Sequence, residues 1–186
     1  MNVISRFGIF IGIVCATCSN VVAQTYQAQN KVVLIVREAK TTKPKIYVSK
    51  GLSVRSDLER NEFTFQVSIT SFLQTDSTKR IKIDSLLPET NFPMLSFKGS
   101  LPFNKLDKDI SNKQTLAVQG TFFIGNQSFT TYLPVEFEFM DKQLLFDTYF
   151  TLDLNNFSIA LPKELQDKYS TLLEFSIDNG HLLTRP

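Results

Sequence analysis

The chain has 186 residues, 42% of them hydrophobic and 17 of them phenylalanine, with 20 basic against 18 acidic side chains. Basic residues are scattered through Lys40–Lys50 and Lys79–Lys82 among apolar and hydroxyl residues, which excludes the gathered basic face of a nucleic-acid groove. A single histidine, and two cysteines confined to the N-terminus, exclude a thiol nucleophile in the body of the chain and a zinc centre of the usual His/Cys kind.

Residues 1–23 read as a secretory signal. Arg6 supplies the positive start, Phe7 to Ala16 the apolar run, and Val21-Val22-Ala23 the small residues before cleavage at Gln24. The run is too short to span a membrane as a helix. Cys15 and Cys18 lie within it, each preceded by a residue (Val14, Thr17) unsuited to a lipoprotein acylation site. The expected product is one domain, residues 24–186, exported to the periplasm or secreted, without cysteine and stabilised by burial alone.

Lys31–Arg37 is a run of strand formers. Lys45–Arg55 continues in that style, with alternation on both sides of a turn expected at Gly51. Phe63-Phe65-Val67-Ile69 alternates with Thr64, Gln66, Ser68 and Thr70, a strand with one dry and one wet face. Thr75–Phe92 loses the rhythm, and Leu86-Leu87 before Pro88 suggests a short helix or crossover near residues 78–92. Leu95-Phe97 resumes the strand, and Pro102–Lys113 reads as a loop. From Thr115 the alternation is sustained: Leu116-Val118 into Phe122-Ile124, then Leu133-Val135-Phe137-Phe139, Phe146-Phe150-Leu152 and Leu173-Phe175-Ile177. Gly125-Asn126 and Asp141-Lys142 supply tight turns, and Pro162–Tyr169 a helical turn. Pro134 marks an edge, a bulge or a strand start. Gly120 marks either a bend or the close approach of an aromatic ring.

The pattern predicts an all-β fold of roughly eight antiparallel strands, whose closure leaves an interior that side chains fill or that holds one small ligand. Phe63, Phe65, Phe97, Phe122, Phe137, Phe139, Phe146, Phe150 and Phe175 fall on dry faces, with Val67, Val118, Val135 and Leu152 on the same parity. Alternation leaves two readings open: a solid core, or a tunnel in which each buried methylene of a guest contributes about 0.8 kcal/mol. Catalysis finds little support. Glu136 with Glu138, and Asp147 with Asp153, lie on wet faces, whereas an acid pair needs a partly dry, concave setting. A Ser-His-Asp arrangement would rest on His181, in a tail expected to be mobile. Asn126-Gln127-Ser128 and Asn156-Phe157-Ser158 match the N-glycosylation triplet, which has meaning only in a eukaryotic source.

Four stretches carry a family resemblance: Phe92-Pro93-Met94-Leu95-Ser96-Phe97-Lys98-Gly99, Leu116-Ala117-Val118-Gln119-Gly120-Thr121-Phe122, Tyr132-Leu133-Pro134-Val135, and Phe150 to Ile159 followed by Pro162. In order and wording they resemble the YceI-like family, in its shorter Bacteroidetes-type form, over roughly Val48 to Ile177. The resemblance implies an eight-stranded, lipocalin-like barrel in the periplasm that binds a polyisoprenoid, such as an isoprenoid quinone tail, and has no covalent cofactor and no enzymatic role. The implied ligand wall is Phe63, Phe65, Val67, Phe97, Val118, Phe122, Val135, Phe137, Phe139, Phe150, Leu152 and Phe175, with Leu86-Leu87 near the mouth. The implied partner is an apolar lipid and not a nucleic acid; transient membrane contact and oligomeric state stay open. Thr75–Glu89 departs from the family pattern, and the heavy aromatic filling would narrow a tunnel.

Overall fold

The computed structural model describes residues 30–38, 43–57, 60–75, 94–101, 103–107, 112–140 and 143–182. The expected signal segment with both cysteines, the helix or crossover near 78–92, and Leu86-Leu87 lie outside the described residues.

The described residues form nine strands: β1 (Asn30–Glu38), β2 (Lys45–Asp57), β3 (Glu62–Ser68), β4 (Leu73–Gln74), β5 (Met94–Ser100), β6 (Gln114–Ile124), β7 (Gln127–Met140), β8 (Gln143–Asp153) and β9 (Tyr169–Leu182). They join in the order β1-β9-β8-β7-β6-β5-β3-β2, and β2 pairs back onto β1. The result is a closed, eight-stranded antiparallel barrel, with β4 as a short extra strand beside Tyr47 and Val48 of β2. Closure removes the raw edges that an open sheet of this composition would present. At the seam, Asn30 reinforces the ladder: its side-chain amide receives the His181 N–H at 2.8 Å and donates to the His181 carbonyl at 3.3 Å. At the other end of β1, Lys45 pairs with Glu38 at 2.8 Å and donates to the Tyr169 hydroxyl.

Alternation is what makes these segments strands, and burial follows it: Phe63, Phe65 and Val67 point inward from β3, while Thr64, Gln66 and Ser68 stay half-buried on the outside. The sharp β6–β7 hairpin is led by Gly125 at φ 58°, a conformation that suits glycine. Lys163–Gln166 forms the expected helical turn before β9.

Three features depart from expectation. Gly51 does not end a strand: β2 runs through it, with a register shift against β1 and the Gly51 N–H donating to the Ser49 hydroxyl at 3.0 Å. The Ser49 hydroxyl in turn meets that of Ser71 at 2.6 Å, so polar groups inside the barrel wall are satisfied at this irregularity. His181 is not in a mobile tail either. It lies in β9 opposite Leu145, because a bulge at Asp178–Asn179, with Asn179 at φ 52°, lets the strand continue to Leu182 on shifted parity. Third, a Leu154–Phe157 3-10 turn closes part of the barrel wall. The β7–β8 ladder covers Glu136–Met140 and stops short of Pro134, which lacks an N–H and whose carbonyl instead accepts from the Thr148 hydroxyl at 2.8 Å. Leu154, Phe157, Ile159 and Leu161 are all buried, and the Phe157 ring lies 6.0 Å from that of Phe129 on β7.

Candidate functional site

The interior is built by one face from each barrel strand. Phe63, Phe65 and Val67 come from β3, Phe97 from β5, Val118 and Phe122 from β6, and Val135 and Phe137 from β7. Phe146, Phe150 and Leu152 come from β8 and Phe175 from β9; none of these residues is more than 7% exposed. Phe139 stands apart: near the end of β7, opposite Leu144, it is half-buried and packs on the margin of the cluster.

The rings form one connected network. Phe65 stacks on Phe97 with centroids 5.3 Å apart, Phe97 lies 4.7 Å from Phe122, Phe122 lies 4.9 Å from Phe150, and Phe150 stacks on Phe175 at 5.1 Å. Phe63 meets Phe146 edge-on at 5.3 Å and Phe137 at 6.5 Å. These separations lie within the range in which aromatic pairs attract beyond simple burial. A ring bordering a space that admits water exposes surface to it. Phe63, Phe65, Phe97, Phe122, Phe137, Phe146 and Phe175 expose 1% or less, so in this conformation their neighbours are protein atoms.

Glycines make room for the rings. Gly99 and Gly120 are partners across β5 and β6, and the Phe97 ring rests over both. A Cβ on Gly120 would stand 2.4 Å from Phe97 Cζ and 2.7 Å from the Gly99 Cα. Gly180, opposite Phe146, is covered by that ring in the same way, with a Cβ placed 2.3 Å from Phe146 Cε1. Of the two readings of Gly120, close approach of a ring is the one found.

Three further interior rings escaped the alternation: Tyr47, buried on β2 between the half-buried Ile46 and Val48, and two outside the strands. Phe72 is fully buried and 6.3 Å from Phe175, but it follows a 3-10 turn (Ile69–Ser71) and belongs to no strand. Phe157 is buried within the Leu154–Phe157 turn. An aromatic in a turn, outside any alternating stretch, gives no periodic signal, so only the density of Phe in the chain pointed to these two.

The ion pairs lie on the outer wall. Glu136 and Asp147 face each other across β7 and β8, and Lys113 sits between them, 3.6 Å from Glu136 and paired more closely with Asp147. Burial alone would raise the Asp147 carboxyl, but hydrogen bonds from Lys113 and from the Asn179 N–H, the latter 2.6 Å long, hold it below the ordinary carboxylate range. On β9, Glu174 accepts from Arg37 and from the Tyr149 hydroxyl, and these bonds likewise lower its pKa. Such arrangements tie β1, β7, β8 and β9 together; they do not form the enclosed acid pair that general acid–base chemistry requires. Among the described residues no group of three His, Cys, Asp or Glu side chains could hold a metal ion.

The Asp147 arrangement has a pH consequence. Because the folded-state pKa is depressed, its stabilisation is present above the unfolded value of about 3.9 and disappears as pH falls through the folded value. Asp147→Asn should cost about 1 kcal/mol at neutral pH, and the gap from the unmodified protein should close as pH falls through the depressed folded-state value. Urea unfolding at a series of pH values measures it; a gap that persists unchanged at low pH would show that the charge contributes nothing.

No protein-family model matches the sequence, and no curated protein matches it. Solved structures do share the fold. A polyisoprenoid binding domain from Saccharophagus degradans, implicated in plant cell wall breakdown, superposes with a TM-score of 0.65 at 10% identity, over 82% of this chain and 92% of that one. BcnA of Burkholderia cenocepacia superposes with a TM-score of 0.56 at 15% identity, over 80% and 93% of the two chains. The fold expected from the resemblance to YceI-like proteins, a lipocalin-like antiparallel barrel, is the fold found.

Proposed function

We propose that this protein is a non-enzymatic, YceI-like lipid-binding barrel, a single domain exported after loss of residues 1–23, and that its ligand is a polyisoprenoid such as an isoprenoid quinone tail. The observation that carries the reading is the coincidence of fold and interior. The barrel shared with a polyisoprenoid binding domain encloses a wall that is apolar from β3 round to β9. An isoprenoid chain asks for little else. Each five-carbon unit gains about 3–4 kcal/mol gross on burial, from which the cost of ordering the chain is subtracted. The rings occupy the interior as described, so a guest enters by turning them aside. Phe150, at 7% the most exposed ring of the connected interior network, is the first candidate to swing.

The packed network favours a second reading, an envelope protein whose barrel is a solid core without a ligand. Lipid extraction and mass spectrometry of protein purified from its own host separates the two. A polyisoprenoid recovered near one per protein supports the carrier. A well-folded sample that yields nothing apolar overturns it and leaves the solid core.

A further inference from the structure

The outer wall over β3, β5 and β6 carries a shallow, open cleft of about 340 Å³. Phe123 forms one side, 38% exposed on β6, where its partners across the ladders are Ser96 and Ser128. Asn61, at φ 53° in the β2–β3 turn, forms the opposite side with Arg60. Between them the wall presents Glu62, Lys98, Ser100 and Thr121.

The chemistry of this lining selects among ligands. Lys98 lies 3.0 Å from Glu62 and Arg60 lies 3.8 Å from Asp57, so the charges are already matched. An anion would meet the Glu62 carboxylate, and a cation would meet Lys98 and Arg60. A lipid would find one apolar side chain, Phe123, among polar ones. What fits is a neutral molecule rich in hydroxyls with one apolar face. Arg60, Asn61 and Lys98 donate, Glu62 accepts, and Ser100 and Thr121 do either. The half-exposed Phe123 ring offers a platform for the C–H face of a sugar ring. A second platform continues the path: Tyr132 on β7, 64% exposed, is opposite Gln119, which is opposite Ser100. Two strand spacings put it about 10 Å from Ser100, roughly the reach of a disaccharide.

We infer that this cleft binds a neutral saccharide, a site on the outer wall and separate from the aromatic interior. The test is NMR titration of the purified protein with cellohexaose, xylohexaose and mannohexaose, with polygalacturonate as the acidic comparison. At least one neutral hexasaccharide should give saturable amide shifts confined to residues 60–62, 98–100, 119–123 and 130–132. Phe123→Ala should weaken that binding about tenfold, while Phe123→Tyr, which keeps the platform, should bind within about threefold of the original. No shifts with any of the three, shifts centred elsewhere, equal binding by Phe123→Ala with an unchanged melting temperature, or tighter binding of polygalacturonate would each overturn the assignment. None of these results bears on whether the interior takes a lipid, so the two readings fail separately.

Discussion

Phe63→Ala should lower stability by about 3–5 kcal/mol, the range for removing a fully buried aromatic ring. The Phe63 ring is 0% exposed and touches four others, those of Phe65, Phe97, Phe137 and Phe146, at centroid distances from 5.3 to 6.5 Å. Its loss removes the transfer free energy of the ring and leaves a void that neighbours on closed, hydrogen-bonded strands cannot collapse to fill. The melting temperature should fall by roughly 10 °C, at the 2–4 °C per kcal/mol usual for a domain of this size. Tyr132→Ala, at a position 64% exposed, should stay within about 0.5 kcal/mol. A Phe63→Ala protein that melts within a few degrees of the original would mean that the interior is loosely packed. The solid-core reading would then lose its main support.

Gly120→Ala and Gly180→Ala should both destabilise, by about 2–3 kcal/mol, and should differ in whether they can be rescued. Neither glycine has a positive φ, so alanine suits the backbone and the cost is steric. At Gly180 the atoms in the way all belong to the Phe146 ring, which a smaller side chain would clear. Gly180→Ala should therefore cost about 1–2 kcal/mol less in a Phe146→Leu background than alone. At Gly120 the added methyl also strikes main chain, the Gly99 Cα and the Lys98 carbonyl, each 2.7 Å away. Phe97→Leu should then recover little. A double-mutant cycle by denaturant unfolding checks both statements. Equal rescue at the two sites would contradict the packing described.

Strand parity was legible in most alternating stretches, but not at the start of β2, where Tyr47 and Ser49 are buried and the alternating Ile46 and Val48 are half-buried. In β3, β5 and β6 the residues expected on the dry face are buried, Leu116 at the start of β6 only half so, because a period of two admits one assignment once one face is apolar. Legibility failed where the backbone breaks that period. The bulge at Asp178–Asn179 moves the inward set from Phe175 and Ile177 to Gly180 and Leu182, and alternation read straight through would have pointed them outward. Gly51 suggested a turn because glycine commonly marks one, yet here a serine hydroxyl holds the strand through it. Phe72 and Phe157 were missed because tertiary position, not a local period, buries them. Partnership was also illegible: nothing in Lys31–Arg37 says that β1 lies between β2 and β9. The candidate site was readable as a set of inward rings, but their mutual contact was not, since parity gives direction and never distance. At 10–15% identity the solved structures share the barrel with this chain, a likeness visible in backbone and faint in sequence.

The seam also sets a schedule. Val33 has Val48 on one side and Ser176 on the other, so the first strand to be made waits for the last before its second neighbour exists. At about 5–20 residues per second, synthesis of the intervening chain takes on the order of 10 s, and contacts so distant in sequence form slowly even afterwards. A nascent polypeptide of this topology remains threadable until its final segment is released. If the chain is exported as proposed above, that delay would keep it narrow enough to pass a membrane.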